Sequence, residues 1–238
     1  MSRAILPNLF TIGNLFCGFV AIHYILQGKM IPAAWLILLG AALDKMDGFI
    51  ARLVGKDSSF GIEFDSLVDI CTFGIGPALM IYLSYLNTGW GLIIAFVYLL
   101  CGALRLARFN AVSHEQMDDE KSDFYMGLPI PMAAICLTQY VAFAERSFAS
   151  PHTVPLAVSL VLLLSFVMVS RFDYDTMPNF RASSPRDRFK QIYFVGSVSL
   201  MILPRTQDYF FVLIMIYILS GLYRRVVSVF RDEVTQHA

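Results

Sequence analysis

Between Ile31 and Leu83 the chain stays apolar for the length of two membrane crossings, yet Asp44, Asp47, Asp65 and Asp69 interrupt it. A membrane-spanning helix needs about 20 predominantly apolar residues, because lipid offers the backbone no hydrogen-bond partners. Carboxylates in such segments are costly and by default line a protected or watery interior. Asp44 and Asp47 stand at i and i+3, and Asp65 and Asp69 at i and i+4, so each pair shares a helix face. The polar loop Val54-Gly55-Lys56-Asp57-Ser58-Ser59 lets the two helices fold back antiparallel, with Ser58 or Ser59 as an N-cap. Both carboxylate faces then meet near one membrane surface.

Four carboxylates in one place repel one another, and protons or bound cations must relieve that. Two divalent ions balance four negative charges, and all-oxygen ligation suits Mg²⁺, Mn²⁺ or Ca²⁺ rather than zinc. Gly48, Ala51 and Gly61 add a second clue, since small residues allow close helix approach and leave room for a flat ligand beside the backbone. Arg52, one turn beyond Gly48, can pair with a phosphate or with Asp47. The structural alternative is two helices tied by ion pairs to Lys45, Arg52 and Lys56, but three cations do not serve four acids on a shared face. A divalent-cation transporter is the rival from another class. It predicts acids near the midplane and usually a repeat with broken helices, whereas these acids bracket a short loop and no inverted repeat is evident.

Composition carries the membrane assignment to the whole chain. Of its 238 residues 57% are hydrophobic and 15% charged, with a mean hydropathy of +0.64, which excludes an ordinary soluble domain. Cys17, Cys71, Cys101 and Cys136 all lie in apolar segments without a CxxC pair, so they read as buried thiols rather than disulfides or zinc ligands. The first apolar run, about Pro7 to Gln27, is long and lacks an A-x-A-like cleavage site, so it is expected to stay as a membrane helix. Asn8, Thr11 and Asn14 form a polar strip along it, suited equally to interhelical hydrogen bonds and to a ligand.

Further helices are predicted at about Ile31–Val54, Phe60–Leu83, Gly89–Ala107, Gly127–Glu145, Val154–Ser170, Gln191–Leu203 and Asp208–Tyr223, with Pro77 bending the third. Polar loops follow at 113–123 and 171–190. The expected fold is an all-α polytopic bundle of about eight transmembrane helices forming one domain over 1–238, with six helices plus a loose pair as the alternative. With the N-terminus inside, fourteen Lys and Arg fall on the inner side. Only Lys29, Arg146 and Arg205 fall outside, and Lys45 lies within a helix. That bias predicts a cytoplasmic N-terminus and places the aspartates toward the cytoplasm. His23, His114, His152 and His237 are scattered, and no Walker loop, GxGxxG or Ser/His/Asp array is present.

With its spacings the stretch reads Asp44-x2-Asp47-Gly48-x2-Ala51-Arg52-x8-Gly61-x3-Asp65-x3-Asp69. It resembles the signature of the CDP-alcohol phosphotransferases at every specified position. Further stretches resemble the membrane-integral phosphatidylserine synthase branch: Pro-Asn-Leu-Phe-Thr at 7–11, Asn-Leu-Phe-Cys-Gly-Phe at 14–19, Asp-Ser-Leu-Val-Asp-Ile at 65–70, Leu-Arg-Leu-Ala-Arg-Phe-Asn at 104–110 and Gly-Leu-Pro-Ile-Pro at 127–131. The resemblance covers about the first 135 residues, with Val-Ser-Arg at 169–171 beyond.

What the resemblance implies is a six-helix core plus two helices, a homodimer, and transfer of a phosphatidyl group from CDP-diacylglycerol to L-serine with release of CMP. It assigns Asp44, Asp47, Asp65 and Asp69 to Mg²⁺ or Mn²⁺, two ions in all, and makes Asp69 the general base. Gly48, Ala51, Arg52 and Gly61, with Asn8 and Thr11, are expected around the CDP group. A zwitterionic acceptor needs a cation for its carboxylate. Arg105 and Arg108, at i and i+3 where the fourth helix is expected to end, are candidates, although basic residues also anchor helix ends at headgroups. Arg171 is a third and weaker candidate. Other acceptors, such as glycerol 3-phosphate or inositol phosphate, and archaeal ether-lipid donors fit the same pattern.

Overall fold

The computed structural model describes residues 5–54, 59–115, 124–147, 153–175 and 210–221, with isolated positions 188, 191, 192, 196 and 223. Helices α1 (Ile5–Leu26) and α2 (Met30–Val54) fold back on each other through a three-residue turn and pack along their lengths. Gly28 makes this turn, at φ +73°, a left-handed conformation that costs glycine little. Its N–H donates to the Ile25 carbonyl and that of Lys29 to the Tyr24 carbonyl, each at 2.9 Å, the two bonds of a Schellman C-cap.

The predicted third helix is one rod of changing pitch. It begins as α3 (Ser59–Asp69), passes through a π-helical stretch (Ile70–Ile75) into α4 (Gly76–Ile81), and ends in a second π-helical stretch (Tyr82–Leu86). Pro77 is the local cause. It has no N–H for the Phe73 carbonyl four residues back, and its ring crowds that carbonyl. The wider pitch appears just before it, where the Gly76 N–H donates five residues back to Cys71. The Phe73 carbonyl accepts instead from the hydroxyl of fully buried Tyr98 at 3.0 Å. Where the sequence predicts a bend, the helix changes its winding, and a tyrosine from the next helix supplies the missing donor.

That next helix, α5 (Gly91–Glu115), runs two turns past its predicted end at Ala107. No glycine or proline lies between Ala103 and Glu115 to stop it. Arg105 therefore sits within a helix rather than at its terminus. Helices α6 (Ile130–Ser147) and α7 (Thr153–Val169) follow close to their predicted bounds, and α5 packs against α7. One feature is unpredicted, an antiparallel pair of three-residue strands, β1 (Phe124–Met126) just after the first predicted loop and β2 (Asp173–Asp175) within the second. A helix α8 spans Phe210–Gly221, within the predicted last helix. The predicted helix at 191–203 lies almost wholly outside the described residues.

The chain divides into two compact units, Met1–Asp119 with Pro129–Val169, and Glu120–Leu128 with Ser170–Ala238. The first holds α1 to α7 and the second holds the strand pair and α8. Among the described residues three helices are long and apolar enough to cross a membrane: Asn8–Leu26, Phe60–Leu86 and Gly91–Ala111. Helix α2 is as long, but Asp44, Lys45 and Asp47 lower its hydropathy. Within the first unit Ile37, Phe73, Met80 and Tyr98 are fully buried, whereas Phe16, Phe19, Phe96 and Phe166 face outward. Such an apolar exterior is a liability in water and fits lipid as the solvent.

Candidate active site

The fold brings the four aspartates together, all within the first unit. One carboxylate oxygen each from Asp44, Asp47 and Asp65 lies within 4.8 Å of the others. Asp44 and Asp47 come from α2, Asp65 and Asp69 from α3. Asp69 stands beside that trio, close to Asp44. Asp47 and Asp69 are buried, and Asp44 and Asp65 are half-buried. The helical offsets of three and four residues do the placing, since they stack each pair on the face its helix turns toward the other.

Neighbouring helices complete the walls. Thr11 of α1 donates its hydroxyl proton to Asp47 Oδ2 at 3.0 Å, which places the predicted polar strip at the site. Asn8 lies one turn earlier on α1 and is half-buried. From α5, the buried Arg105 acts electrostatically on both Asp44 and Asp69. Arg108, one turn on, donates from Nη1 to the Val169 carbonyl at 2.8 Å and so ties α5 to the end of α7. Asn110 Nδ2 donates to Ser66 Oγ at 2.9 Å, while Ser66 donates to the Ile62 carbonyl at 3.1 Å, linking α5 to α3 beside Asp65.

The glycines of the signature keep the space it requires. A Cβ placed on Gly48 meets nothing within 4 Å, so the backbone of α2 is open next to Asp47. Gly61 is half-buried on α3. The side chains of Ala51 and Arg52, in the last turn of α2, and the residues 55–58 lie outside the described set. Arg171 is exposed and belongs to the second unit.

The donor set fits a hard divalent cation. It is made of carboxylate oxygens alone, and Oδ1 of both Asp65 and Asp69 is buried without a hydrogen-bond partner among the described residues. A buried carboxylate oxygen left bare costs several kcal/mol unless a cation or donor meets it, on the order of the desolvation of a charged group. Three contributions escaped the sequence: Ser66–Asn110, the Tyr98 hydroxyl, and the depth of Arg105. Polar residues within an apolar helix were the available signal for the first two. The depth of Arg105 follows from the uninterrupted helical composition after Ala103.

A helical membrane protein with a buried carboxylate centre between its second and third long helices is a narrow class. Residues 4–170 match the CDP-alcohol phosphatidyltransferase family, and the chain belongs to that family and is an enzyme of its reaction class. It is 37% identical over 178 residues to a CDP-diacylglycerol–serine O-phosphatidyltransferase of Helicobacter pylori, covering 74% of this chain and 72% of the relative. An archaetidylserine synthase of Methanothermobacter thermautotrophicus is 32% identical over 171 residues, covering 71% of this chain and 70% of that one. Among solved structures, a phosphatidylinositol phosphate synthase of Mycobacterium tuberculosis with CDP-DAG bound superimposes with a TM-score of 0.52. It is 14% identical and covers 71% of this chain and 83% of its own, which shows a shared fold.

Proposed function

We propose that the chain transfers a phosphatidyl group from CDP-diacylglycerol to L-serine, giving phosphatidylserine and CMP. The observation that carries this is the carboxylate cluster, with three aspartates of a complete signature offering oxygens within 4.8 Å of one another. Serine is favoured as acceptor because the Helicobacter relative bears that name over most of both chains. The archaeal relative favours serine too, with an ether-lipid donor as the second reading.

Asp44, Asp47 and Asp65, with Asp69 toward a second position, would hold Mg²⁺ or Mn²⁺. The metal supplies charge neutralisation on the diphosphate under attack and on the departing CMP. The chain's own groups do the rest. Gly48, Ala51 and Gly61 bound a slot for the cytidine, and Arg52 reaches a phosphate. Asn8 and Thr11 flank that slot, with Thr11 holding the Asp47 carboxylate in place. Arg105 orients the acceptor carboxylate, while Arg108, one turn on, holds α5 to the end of α7 through the Val169 carbonyl. Asp69 takes the proton from the serine hydroxyl as its oxygen bonds to the phosphorus bearing the diacylglycerol. The bond from that phosphorus to the CMP oxygen breaks in the same displacement, and the acyl chains stay in lipid.

This enzyme works as a homodimer of one-domain, eight-helix chains, its N-terminus and active site facing the cytoplasm, where soluble serine is available. Purified protein incubated with CDP-diacylglycerol and a panel of alcohols tests the acceptor. Serine should give CMP release well above glycerol 3-phosphate and inositol phosphate. Equal release with any of these, or release only from an ether-lipid donor, would overturn the corresponding part.

A further inference from the structure

A second polar layer lies beneath the aspartates and is used by no step above. Asn14 of α1 is fully buried, and neither its Oδ1 nor its Nδ2 has a hydrogen-bond partner among the described residues. Each such group costs about 1–3 kcal/mol if nothing meets it, and lipid offers no bulk water to do so. Three neighbours fix its level. Thr11, one turn earlier on the same face of α1, bonds to Asp47. The Thr72 hydroxyl donates to the Asn14 carbonyl at 3.2 Å, and a Cβ on Gly40 would come within 2.8 Å of Asn14 Oδ1.

Gly40 is one turn before Asp44 on α2, and Thr72 follows Asp69 by three residues. Asp44 and Asp69 lie close to each other. The Asn14 carboxamide therefore occupies the layer next below that pair, about one helical turn or 5.4 Å away. Asp69 Oδ1 is buried and likewise has no partner among the described residues. An orphaned donor and an orphaned acceptor one turn apart are what a single buried water joins, since two polar partners are the minimum it needs.

We propose that Asn14 is a positioning residue for the aspartate site, acting through a buried water that accepts from its Nδ2 and donates to Asp69 Oδ1. This rests on the metal-site reading above. Held from below, the Asp69 carboxylate presents its other oxygen toward Asp44 and the acceptor. Such outer partners typically change metal affinity by about 10–100-fold when removed.

The test measures Mn²⁺ binding by electron paramagnetic resonance on the full-length protein in detergent, without substrate. Asn14→Leu should raise the Mn²⁺ Kd about 10–100-fold and lower kcat with little change in serine KM. Its Tm should fall somewhat, because losing one end of the bridge leaves the buried Asp69 Oδ1 unmet, so the Mn²⁺ Kd rather than Tm is the deciding readout. Asn14→Ser, which keeps a hydrogen-bonding group and leaves room for water, should recover most of the affinity, and Asn14→Ala should not. A Kd within twofold of the unaltered protein for Asn14→Leu, or equal Kd values for the Ala and Ser variants, would overturn the proposal. If Asn14→Leu does not fold, the Ala and Ser pair decides. If the unaltered protein binds Mn²⁺, Asp69→Asn abolishes it and the Asn14 variants do not matter, this inference fails alone. No Mn²⁺ binding by the unaltered protein overturns the metal-site reading, and this inference with it.

Discussion

Replacing Gly48 by alanine separates function from stability. On the α2 backbone the added methyl meets no atom within 4 Å, so the free protein pays no steric penalty. Alanine is a better helix former than glycine by about 0.8–1.0 kcal/mol, which for a chain of this size corresponds to a Tm rise of about 2–4 °C. The same methyl enters the open space beside Asp47, where the proposed cytidine slot lies. Forcing a methylene-sized group into a filled site costs about 1–3 kcal/mol, a loss of roughly 5- to 150-fold in donor affinity. Gly40→Ala is the internal control, because its Cβ would fall 2.8 Å from Asn14 Oδ1 and 3.0 Å from Thr72 Cγ2. It should lower Tm by overpacking. Thermal scans of the detergent-purified variants and initial rates against CDP-diacylglycerol concentration give both quantities. A Gly48→Ala enzyme with unchanged donor KM and kcat would refute the slot, and one with a lowered Tm would refute the open space.

The other expectations follow from the same walls. Asp44→Asn, Asp47→Asn, Asp65→Asn and Asp69→Asn should each abolish transfer while the protein still inserts, and metal-free Tm should rise as like-charge repulsion falls; a fully active Asp65→Asn enzyme, or indifference to chelation, would contradict the metal site. Arg105→Lys should raise the serine KM or lower kcat about tenfold or more, leaving donor binding nearly intact, whereas Arg108→Lys should act mainly on Tm through the lost Val169 contact; the opposite split in steady-state kinetics would exchange their roles. Tyr98→Phe leaves the Phe73 carbonyl bare and should cost about 1–3 kcal/mol, so an unchanged Tm would show that the carbonyl has another donor. Single cysteines at Ser58, Ser113 and Ser183 in a cysteine-free background should label only from the cytoplasmic side, and those at Asn87 and Ser150 only from outside; outside labelling at Ser58 would invert the topology.

The aspartates were legible in the sequence because of their cost. An acid in an apolar helix demands a partner, and spacings of three and four residues say that the pair shares a face. Helices α1, α2, α6 and α7 were legible for the complementary reason, since lipid tolerates no backbone that fails to bond to itself. Thr11 was half-legible. Its place on a polar strip was visible, but only the packing of α1 on α2 reveals that Asp47 is its acceptor. The strands β1 and β2 were not legible at all, being three residues each and paired across a long separation in sequence.

Arg105 and Pro77 show why the rest was hidden. Taking the basic cluster after Leu104 as a helix end put Arg105 at the membrane surface, yet basic residues end a helix only when something else stops it. No such signal stands between Ala103 and Glu115, so α5 continues and carries Arg105 into the protein, where it is buried and acts on Asp44 and Asp69. A buried guanidinium acting on two of the four carboxylates is then part of the charge balance of the site, reducing what bound cations must supply. Pro77 announced a disturbance in its helix without stating its form. The outcome depended on a donor for the Phe73 carbonyl, and that donor, Tyr98, arrives from a different helix. The π-helical stretch that results begins directly after Asp69. A wider turn shifts the residues that follow in helical phase; Thr72, within this stretch, donates to the Asn14 carbonyl, while Asp65 stays beside Asp44 and Asp47 of α2. A catalytic face and a packing face that differ in helical phase on one rod need such a change of winding, which accounts for a proline in a helix that must also hold two of the four acids.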